Sequence, residues 1–481
     1  MPNLSALLNA RSVAIVGAST REGSFGWHLL RQLLDFGYSG AIYPVHPTAT
    51  EIAGLETYPT CAAIGCPIDC AAICVGDERL EAAVLDAIAA KIPSAIIFGT
   101  AATLASDGHP LTDWLRETAR AHDLTLLGAN GMGFFNFTSG LFLNGYPYHR
   151  PRTEGCIGFI THSGSLFSAV AKNTRSLNFN LVISPGQELV VTAADYLRYL
   201  LDLPSTRVVG LVLETIRDPA SFLAALDHAV ERRIAIVLLK IGRTEHGAAM
   251  ALAHTGAIAG QHATIEALAA RFNVCLVTTM DEMMDTLELF ASGRTFAQGE
   301  LAAVADSGGE RGLMVDLATD LRLPWADLSP QTVAVLQNTL DPGLAAVNPV
   351  DLWGTGQNWQ EVFRAAIGAL LVDPNVGALS YGIDFNIGSR LNADYRQIAI
   401  QAAQSTSKPV AVVSNIAAGT DPGEAAQLRS AGLPVLLGTQ SGLAAFAHLR
   451  NWSHRAAKVA AWNDCLAQTP FDLSTGPINR P

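Results

Sequence analysis

The chain contains 481 residues, more than one hydrophobic core usually supports, so we expect about three domains. Hydrophobic residues make up 49% of it and charged residues 15%, a composition typical of a water-soluble globular protein. The formal net charge of -12 argues against a surface that binds nucleic acid or an anionic membrane. It does not exclude an anionic ligand, because such a ligand needs only a local electropositive pocket.

The seven cysteines favour a reducing compartment over a metal site. They are Cys61, Cys66, Cys70, Cys74, Cys156, Cys275 and Cys465. None belongs to a C-x-x-C pair, and two lie in the apolar run "CAAICVG", so we interpret them as core thiols and predict no metal site. The odd count, the lack of a recognisable signal peptide and the lack of a membrane-length apolar run predict a cytoplasmic protein.

Five short apolar runs divide the first 130 residues, with amphipathic stretches such as "FGWHLLRQLLDFG" between them. They are "SVAIVGAS", "GAIYPVHP", "CAAICVG", "SAIIFGT" and "LTLLGAN". Apolar strands that alternate with helices predict a parallel sheet covered on both faces. Ligands of such sheets bind at the carboxyl ends of the strands, where the small and polar turn residues of these runs lie.

The first of these turns, "VGASTREGSFG", places Gly17 after the strand but lacks the G-x-G-x-x-G pattern. The next strand ends in "VHPT", without an acidic residue for a ribose, so a nicotinamide cofactor is disfavoured. Two interpretations remain open at this point. Either the turn binds another nucleotide-bearing ligand, or Gly17 only permits a tight turn.

Two further α/β units follow, and both open on a strand, a Ser-Gly turn and a helix. Strands of the second are "CIGFITHS", "NLVISPG", "RVVGLVLET", "IAIVLLKIG" and "VCLVTT", and strands of the third are "LAAVADSG", "VGALSYGI", "KPVAVVSN" and "LPVLLGT". We therefore predict domains over 1–150, 151–295 and 296–455 and a C-terminal tail over 456–481, whose last stretch "AQTPFDLSTGPINRP" looks irregular. The turns Ser163-Gly164-Ser165 and Ser307-Gly308-Gly309 correspond, which suggests a repeated domain type. Each turn is either an anion site at a helix N-terminus or only an N-cap.

The stretch "KIGRTEHGAAMALAHTGAIAG" makes the chain recognisable. It resembles the "KxGRSxxGxxAAxSHTGxLAG" segment of the NDP-forming acyl-CoA synthetases, the superfamily of succinyl-CoA synthetase and ADP-forming acetyl-CoA synthetase. Weaker similarities extend the resemblance from about residue 5 to residue 450: "SVAIVGAS" to the opening of the CoA-binding domain, "LLGANGMGFFN" to "GPNCxG", "GFITHSGSLFSAVA" to "GxxSQSGxL", and "VNPVDLWG" to "NPVDL". The resemblance implies a Rossmann-like CoA-binding domain followed by two flavodoxin-like domains.

The resemblance also implies roles for particular residues. His254 would be the phosphorylated histidine, and Glu214 would hold its second ring nitrogen and fix its tautomer. Phosphate-binding residues would be Ser163, Gly164, Ser165, Thr255, Gly256, Ser307, Gly308 and Gly309, and CoA-binding residues would be Gly17, Ala18, Ser19, His46, Pro47, Val75, Gly99 and Asn130. The small residues around His254 suit this chemistry, because a phosphohistidine carries about two negative charges and needs room and hydrogen-bond donors.

Three departures from the family pattern bear on these roles. Thr48 occupies the position of a lysine that meets the CoA nucleotide in the family. Gln187 replaces an asparagine of the family's "GNxADxxxxDxL" loop. The second Ser-Gly turn continues with Glu310 and Arg311 where many relatives have Gly-Pro-Gly, and these two would act on a phosphate in opposite directions. The sequence leaves open which of the two faces the turn.

The three domains leave no stretch for an ATP-grasp domain of about 200 residues, and no Walker-type loop occurs. The resemblance then implies the CoA-binding subunit of a two-subunit, hetero-oligomeric ligase that joins a carboxylic acid to coenzyme A, with ATP and Mg²⁺ held mainly by an ATP-grasp partner. Two other functions stay open: an FdrA-like acyl- or carbamoyl-transferase, and a non-catalytic CoA-binding regulatory subunit. The sequence does not reveal which acid is used, or whether the nucleotide is ATP or GTP.

Overall fold

Parallel strands form three sheets in the computed structural model of the chain. The structure describes residues 2–146, 153–175, 177–255, 262–296 and 298–468, with the side chains of 251–255 and 457–468 excepted. Its residues fall into two compact units, Met1–Met283 and Met284–Pro481, which are treated separately below.

The first sheet of the first unit has the order β2-β1-β5-β6-β7, and its described strands all run parallel. Its strands are β1 (Ser12–Val16), β2 (Ala41–Val45), β5 (Cys70–Ile73), β6 (Ser94–Ile97) and β7 (Thr125–Leu127), with a small hairpin of β3 (Glu51–Ile52) and β4 (Leu55–Glu56) beside them. The helices are α1 (Leu4–Leu8), α2 (Phe25–Asp35), α3 (Leu80–Ala89) and α4 (Leu111–Ala121). The predicted α/β architecture of this region is confirmed.

The second sheet of this unit has the order β14-β13-β12-β10-β11-β8-β9. Its parallel strands are β10 (Ile157–Thr161), β11 (Phe179–Ser184), β12 (Val208–Leu213), β13 (Ala235–Lys240) and β14 (Cys275–Val277). The hairpin of β8 (Gly133–Asn136) and β9 (Leu141–Asn144) joins β11 in antiparallel fashion. This hairpin lies inside the range 1–150 expected for the first domain, yet it extends the second sheet. The helices are α5 (Gly164–Ala171), α6 (Ala193–Asp202), α7 (Pro219–Arg232), α8 (Glu245–Thr255), α9 (His262–Phe272) and α10 (Met280–Ala291), the last of which continues into the second unit.

The second unit contains a parallel sheet of the order β16-β15-β17-β18-β19. Its strands are β15 (Glu300–Ala305), β16 (Val350–Asp351), β17 (Val376–Gly382), β18 (Val410–Ser414) and β19 (Val435–Leu437). Its helices are α11 (Gly308–Asp320), α12 (Pro330–Thr339), α13 (Trp359–Val372), α14 (Asn392–Gln404), α15 (Pro422–Ser430) and α16 (Thr439–Gln468). Helix α16 runs to Gln468 and so extends into the expected C-terminal tail; Ala467 and Gln468, at the start of the stretch expected to be irregular, are helical, and 469–481 lie outside the described residues.

Helix starts follow the local capping chemistry of the sequence. The Ser24 hydroxyl accepts the Trp27 N–H at the start of α2, and Thr192 forms a capping box with Asp195 at the start of α6. Pro330 begins α12 directly after the N-cap residue Ser329, where a missing N–H costs nothing. Aliphatic side chains fill the strands, and β10 and β12 are buried along their whole length. Such burial on both faces is expected of parallel strands covered by helices.

All three sheets share one topology, in which the chain reverses its direction of travel between the first and the third strand. The reversal lies between β1 and β5, between β10 and β12, and between β15 and β17. A crevice opens at such a switch point beyond the carboxyl ends of the strands, and it is the usual ligand position of this architecture. The fold therefore directs attention to three turns, those that follow β1, β10 and β15.

Candidate active site

The turn after β1 brings main-chain atoms unusually close together at the first switch point. Gly17 has a φ of +90°, and a Cβ atom there would lie 2.9 Å from the Cys74 carbonyl oxygen and 2.9 Å from Val75 Cγ1. Gly26 in α2 approaches the same turn, where a Cβ would lie 2.2 Å from the Gly17 carbonyl oxygen. Gly17 is therefore required by contact as well as by conformation. The β1 turn therefore packs directly against the segment after β5 that carries Cys74 and Val75.

The other residues predicted to bind CoA lie at the same edge of the first sheet, because each follows one of its parallel strands. Ala18 is buried next to Gly17, and the Ser19 hydroxyl accepts the Arg21 N–H at 3.1 Å. Gly99 follows β6 and Asn130 follows β7, the latter exposed with a φ of +54°. Their common position at this edge is compatible with one shared ligand, and their role in CoA binding stays a prediction.

His46 and Pro47 follow β2, and the imidazole organises the turn there. His46 Nδ1 accepts the Thr48 N–H at 3.2 Å and the Ala49 N–H at 2.9 Å. A nitrogen that accepts hydrogen bonds carries no proton, so in the neutral ring Nε2 is the donor. Thr48, which replaces the lysine of the family, is exposed.

Asp77 is a further residue of this edge that the sequence analysis did not single out. Its carboxylate accepts the Ala101 N–H at 3.1 Å and the Ala102 N–H at 2.8 Å, and it lies 3.2 Å from a Cβ placed on Gly99. It thereby fixes the loop after β6, in which Gly99 is a predicted CoA contact. No sequence signal distinguished Asp77 from an ordinary surface carboxylate.

The second switch point carries the turn Ser163-Gly164-Ser165, which begins α5. The Ser163 hydroxyl accepts the Leu166 N–H at 3.3 Å, and the Ser163 N–H is donated to Thr161 Oγ1 at 3.1 Å. The next N–H groups of the helix have no partner within the helix, and they point outward at its positive end. A Cβ on Gly164 would lie 2.9 Å from Met132 Cγ, so the turn also packs against the loop that follows β7. This geometry suits an anion, as it would suit an ordinary N-cap.

Glu214 follows β12 and lies directly across this switch point from the turn. The residue is buried, with 6% of its surface exposed. Its N–H is donated to His162 Nδ1 at 3.2 Å, and its carbonyl oxygen accepts a proton of Lys240 Nζ at 2.6 Å. Burial lowers the pKa of Lys240, and the Glu214 charge opposes that shift. The structure thus places Glu214 beside the predicted phosphate turn, with main-chain bonds on both sides.

His162 and Glu188 form a buried pair next to that turn, and sequence reasoning missed both. His162 Nε2 lies 2.7 Å from Glu188 Oε1, and the side chains are 4% and 1% exposed. Glu188 belongs to the loop after β11 and adopts a φ of +54°. One signal was present: His162 occupies the position of glutamine in the "SQSG" turn that this segment resembles.

Main-chain contacts join the loops of the first and second sheets within this unit. The Gln187 N–H is donated to the Ala129 carbonyl oxygen at 2.8 Å, and the Leu189 N–H to the Gly128 carbonyl oxygen at 3.2 Å. Gly186 has no room for a side chain, since a Cβ would lie 2.2 Å from the Ala129 carbonyl oxygen. The loop that carries Asn130 and the loop that carries Glu188 are consequently one packed assembly.

The phosphohistidine candidate lies at the end of α8. The backbone of His254 and Thr255 belongs to this helix, but their side chains and Gly256 lie outside the described residues. Upstream, the helix begins where Thr244 Oγ1 accepts the Gly247 N–H at 3.1 Å. The approach of His254 to Glu214 therefore stays a prediction.

The third switch point, in the second unit, is surrounded by carboxylates. Asp306 precedes the turn Ser307-Gly308-Gly309 and accepts the Tyr395 hydroxyl at 3.1 Å. Asp384, beyond β17, accepts the Ser414 hydroxyl at 2.8 Å and the Asn415 N–H at 2.7 Å. Ser307 is the N-cap of α11 without a side-chain cap bond. The acidic surroundings oppose a phosphate at this turn.

The sequence left open whether Glu310 or Arg311 faces this turn, and the structure shows the position of Glu310. Asp306, Asp384 and Asn415 lie close enough to its side chain to affect its ionisation, and within the described residues its buried Oε2 has no hydrogen-bond partner, so the carboxyl group faces the strand ends. Burial and the charges of Asp306 and Asp384 raise the pKa of Glu310 to about 7, and burial likewise raises the pKa of Asp306. The phosphate-binding role of Ser307, Gly308 and Gly309 stays a prediction. The carboxyl groups of Asp306 and Glu310 lie beside this turn and would repel a phosphate whenever they are ionised.

Comparison with known proteins gives a consistent result across the chain. A family model described as a CoA binding domain matches residues 11–136, and one described as a succinyl-CoA ligase like flavodoxin domain matches residues 154–290. Alpha subunit I of the ADP-forming acetate–CoA ligase of Pyrococcus furiosus is 27% identical over 470 residues, covering 95% of this chain and 99% of that subunit. The chain is similar in sequence to the ADP-forming acyl-CoA ligases. Its expected resemblance to the NDP-forming acyl-CoA synthetases is confirmed.

Other relatives of this group are considerably longer. The trans-feruloyl-CoA synthase of an unknown prokaryotic organism is 28% identical over 458 residues, which are 93% of this chain but 65% of that protein. Several ADP-forming acetate– and 4-hydroxybutyrate–CoA ligases are covered over only about half of their length. The chain thus corresponds to a whole alpha subunit in one relative and to part of a longer chain in others.

A solved structure supports the same fold. The dinucleotide-forming acetyl-coenzyme A synthetase 1 of Ca. Korarchaeum cryptofilum, in complex with phosphate and ADP, superposes with a TM-score of 0.85 at 24% identity, over 96% of this chain and 99% of that one. Together with the family models, it confirms a CoA-binding domain followed by succinyl-CoA-ligase-type flavodoxin-like architecture.

No helix in the described part of the chain combines the length and apolarity needed to cross a bilayer. The described residues also contain no group of three or more histidine, cysteine or acidic side chains that could hold a metal ion.

Proposed function

We propose that this chain is the CoA-binding, phosphohistidine-bearing component of an ADP-forming acyl-CoA ligase. The reaction would be carboxylate + CoA + ATP to acyl-CoA + ADP + phosphate, through a phosphohistidine and an acyl phosphate. The observation that carries the proposal is the second switch point, where the turn Ser163-Gly164-Ser165 lies across from the buried Glu214. The relatives named above give the reaction class.

The proposed chemistry proceeds in three displacements. His254 takes the terminal phosphoryl group of ATP and releases ADP. The carboxylate of the substrate then attacks the phosphorus, which frees the histidine and gives an acyl phosphate. The CoA thiol finally attacks the acyl carbon and releases inorganic phosphate. Each step relies on positioning and on stabilisation of phosphoryl oxygens rather than on a further covalent group.

The residues of the first unit have separate roles in this scheme. Glu214 would accept a hydrogen bond from one ring nitrogen of His254 and leave the other nitrogen nucleophilic. The N–H groups at the start of α5, together with Thr255 and Gly256, would receive the phosphoryl oxygens. CoA would lie along the edge that holds Gly17, His46 and Val75, with its thiol directed to the joined loops of the two sheets. The acid would bind beside those same loops.

ATP and Mg²⁺ would be held mainly by an ATP-grasp module. We propose that this module is a separate subunit, because the chain covers 99% of an alpha subunit from Pyrococcus furiosus. Longer relatives make fusion to the same polypeptide the alternative arrangement. A hetero-oligomer follows from the first arrangement as a prediction, and the cytoplasmic location stays a separate prediction based on the cysteines.

The reverse half-reaction tests the proposal without a partner subunit. The chain is incubated with ³²P-labelled phosphate and acyl-CoA, and acid-labile, base-stable label on the protein is measured. Acetyl-, 4-hydroxybutyryl- and feruloyl-CoA serve as probes, because relatives act on these acids. Label is expected in the wild type and in His246→Asn, an exposed histidine of the same helix, and none in His254→Asn.

Addition of labelled ATP or GTP, with and without a candidate ATP-grasp subunit, locates the nucleotide site. Label that needs the second protein supports the two-subunit arrangement, and label without it contradicts that arrangement. If CoA binds but neither direction labels the wild type, the ligase proposal fails. Transfer of an acyl or carbamoyl group from CoA without phosphate would then support the FdrA-like transferase, and CoA binding alone would support the regulatory subunit.

A further inference from the structure

A chain of hydrogen bonds crosses four neighbouring strand ends of the second sheet. Lys240, at the end of β13, donates to the Glu214 carbonyl oxygen at 2.6 Å. The Glu214 N–H is donated to His162 Nδ1 at 3.2 Å, and His162 Nε2 lies 2.7 Å from Glu188 Oε1. These residues are separated by 26, 52 and 26 positions in sequence, so only the sheet brings them together.

The two contacts of the imidazole indicate its tautomer. Nδ1 accepts the Glu214 N–H and therefore carries no proton, so Nε2 carries the proton of the neutral ring and donates it to Glu188. Both nitrogens are thus engaged, and the side chain is only 4% exposed. His162 is therefore poorly suited to accept a phosphoryl group or to act as a general base. Its contacts fit a residue that holds other groups in place.

Glu188 depends on this contact as much as His162 does. Its side chain is 1% exposed, and a buried carboxylate is costly unless it is hydrogen-bonded. Within the described residues its second oxygen has no hydrogen-bond partner. The hydrogen bond from His162 to the first oxygen therefore offsets the free-energy cost of burying the carboxylate. The nearby Tyr196 hydroxyl is buried as well, and burial together with the Glu188 charge raises its pKa. The hydrogen bond to Glu188 therefore restricts the imidazole of His162 to one orientation.

We propose that the His162–Glu188 pair positions Glu214 for its contact with the phosphohistidine. The imidazole fixes the peptide N–H of Glu214 from one side while Lys240 fixes the carbonyl oxygen from the other. His162 also directly precedes the N-cap residue Ser163, so the same ring ties the phosphate turn to Glu214. The proposal rests on the function proposed above. It adds two positioning residues, which act through Glu214 and do not touch the reacting atoms.

Two variants of the ring separate positioning from simple stability. His162→Asn keeps a short side chain with an oxygen near the place of Nδ1, and so can still accept the Glu214 N–H. His162→Leu fills a similar volume and accepts nothing. His228→Leu is the matched control, because His228 pairs with Asp202 at 2.8 Å on the surface of α7 without a link to Glu214.

The assay measures the rate at which labelled phosphate and acyl-CoA label the protein, and CoA affinity by calorimetry. A displacement of Glu214 by a fraction of an ångström is expected to slow labelling about 10- to 100-fold in His162→Leu. CoA affinity should stay within about twofold, because the hydrogen bonds of the His162 ring go to Glu188 and Glu214 and to none of the residues predicted to bind CoA. His162→Asn should recover most of the rate, and His228→Leu should label like the wild type.

The tautomer of His162 is measured separately by ¹⁵N NMR of protein labelled at its histidines. The His162 signals are assigned as those missing from the spectrum of His162→Asn. The Nε2–H tautomer is expected in the wild type and a mixture in Glu188→Leu. An unchanged labelling rate in His162→Leu, or an Nδ1–H tautomer in the wild type, overturns the inference alone. Equal loss of rate and CoA affinity in both His162 variants also overturns it, because that outcome indicates a structural role only. Absence of label in the wild type overturns the proposed function and this inference with it.

Discussion

Replacement of Glu310 by glutamine should make the second unit more stable at alkaline pH and leave it unchanged at acid pH. The Glu310 carboxyl group lies among Asp306, Asp384 and Asn415 at the start of α11. Burial and the negative charges of Asp306 and Asp384 both disfavour its ionised form. Glutamine has nearly the same shape and stays neutral at every pH.

The sign and size of the effect follow from the pKa of Glu310, which rises from its ordinary 4.5 to about 7. Since the native state binds this proton more tightly than the unfolded chain, the stabilisation is fully present below about pH 4.5 and is lost as the pH rises through 7. A tenfold change in proton affinity is worth about 1.4 kcal/mol, so the full shift corresponds to at most about 3 kcal/mol. Solvent screening of the half-buried side chain reduces this to about 1–2 kcal/mol.

The assay is thermal or denaturant unfolding of wild type and Glu310→Gln at pH 5 and pH 8, followed by tryptophan fluorescence. The difference in free energy of unfolding between the two proteins should grow by about 1–2 kcal/mol in favour of the variant between these pH values. Glu361→Gln, an exposed residue in the first turn of α13, is the control and should show no such growth. A Glu310→Gln difference that is independent of pH, or that grows in favour of the wild type, would refute the reasoning.

Two further substitutions test the first switch point and the core of the second unit. Gly17→Ala should lower stability by about 1–3 kcal/mol and weaken CoA binding in calorimetry, because it adds both a strained φ and a contact of 2.9 Å with the Cys74 carbonyl oxygen. Gly23→Ala has a φ of +77° but open space, so it should weaken CoA binding less, and an equal effect would contradict the role of the contact. Glu288→Gln should cost about 3–5 kcal/mol in denaturant unfolding, because it leaves the largely buried Arg429 without the carboxylate 2.7 Å away. Asp35→Asn, from an exposed ion pair of α2, should cost less than about 1 kcal/mol, and similar costs for both would be evidence against burial as the cause.

Much of the fold was predictable because apolar runs that form parallel strands are followed by small or polar residues that favour turns and helix N-caps. The run "SVAIVGAS" stops at Gly17, whose positive φ the turn requires, and "GFITHSGS" stops at the N-cap residue Ser163. The hairpin of β8 and β9 was not predicted, because "FFN" and "LFLN" are buried on both faces and lack the alternation that marks an antiparallel strand. Two-residue β16 is too short for any pattern.

The neighbours of the predicted site residues were beyond reach of the sequence for a different reason. Side chains meet across a sheet only when strand order is known, and β10 lies between β12 and β11 although it precedes both. Strand order thus makes His162 contact Glu188 and the Glu214 main chain at once. The direction in which Glu310 points depends on the residue at which α11 begins, because Glu310 lies in the first turn of that helix. The pattern of apolar residues does not locate a helix end to within one residue.

The three switch points share one topology but differ in the groups that surround them. The first is a closely packed turn in which Gly17 lies against Cys74 and Val75, and the second offers helix N–H groups beside His162, whose Nδ1 accepts the Glu214 N–H. At the third, the same strand–turn–helix element is surrounded by Asp306, Asp384 and Glu310. A helix N-terminus contributes about half a positive charge, which cannot offset several carboxylates. We therefore infer that a phosphoryl group carried by His254 is received mainly at the second switch point, and that protonation of Glu310 is a condition for any anion at the third.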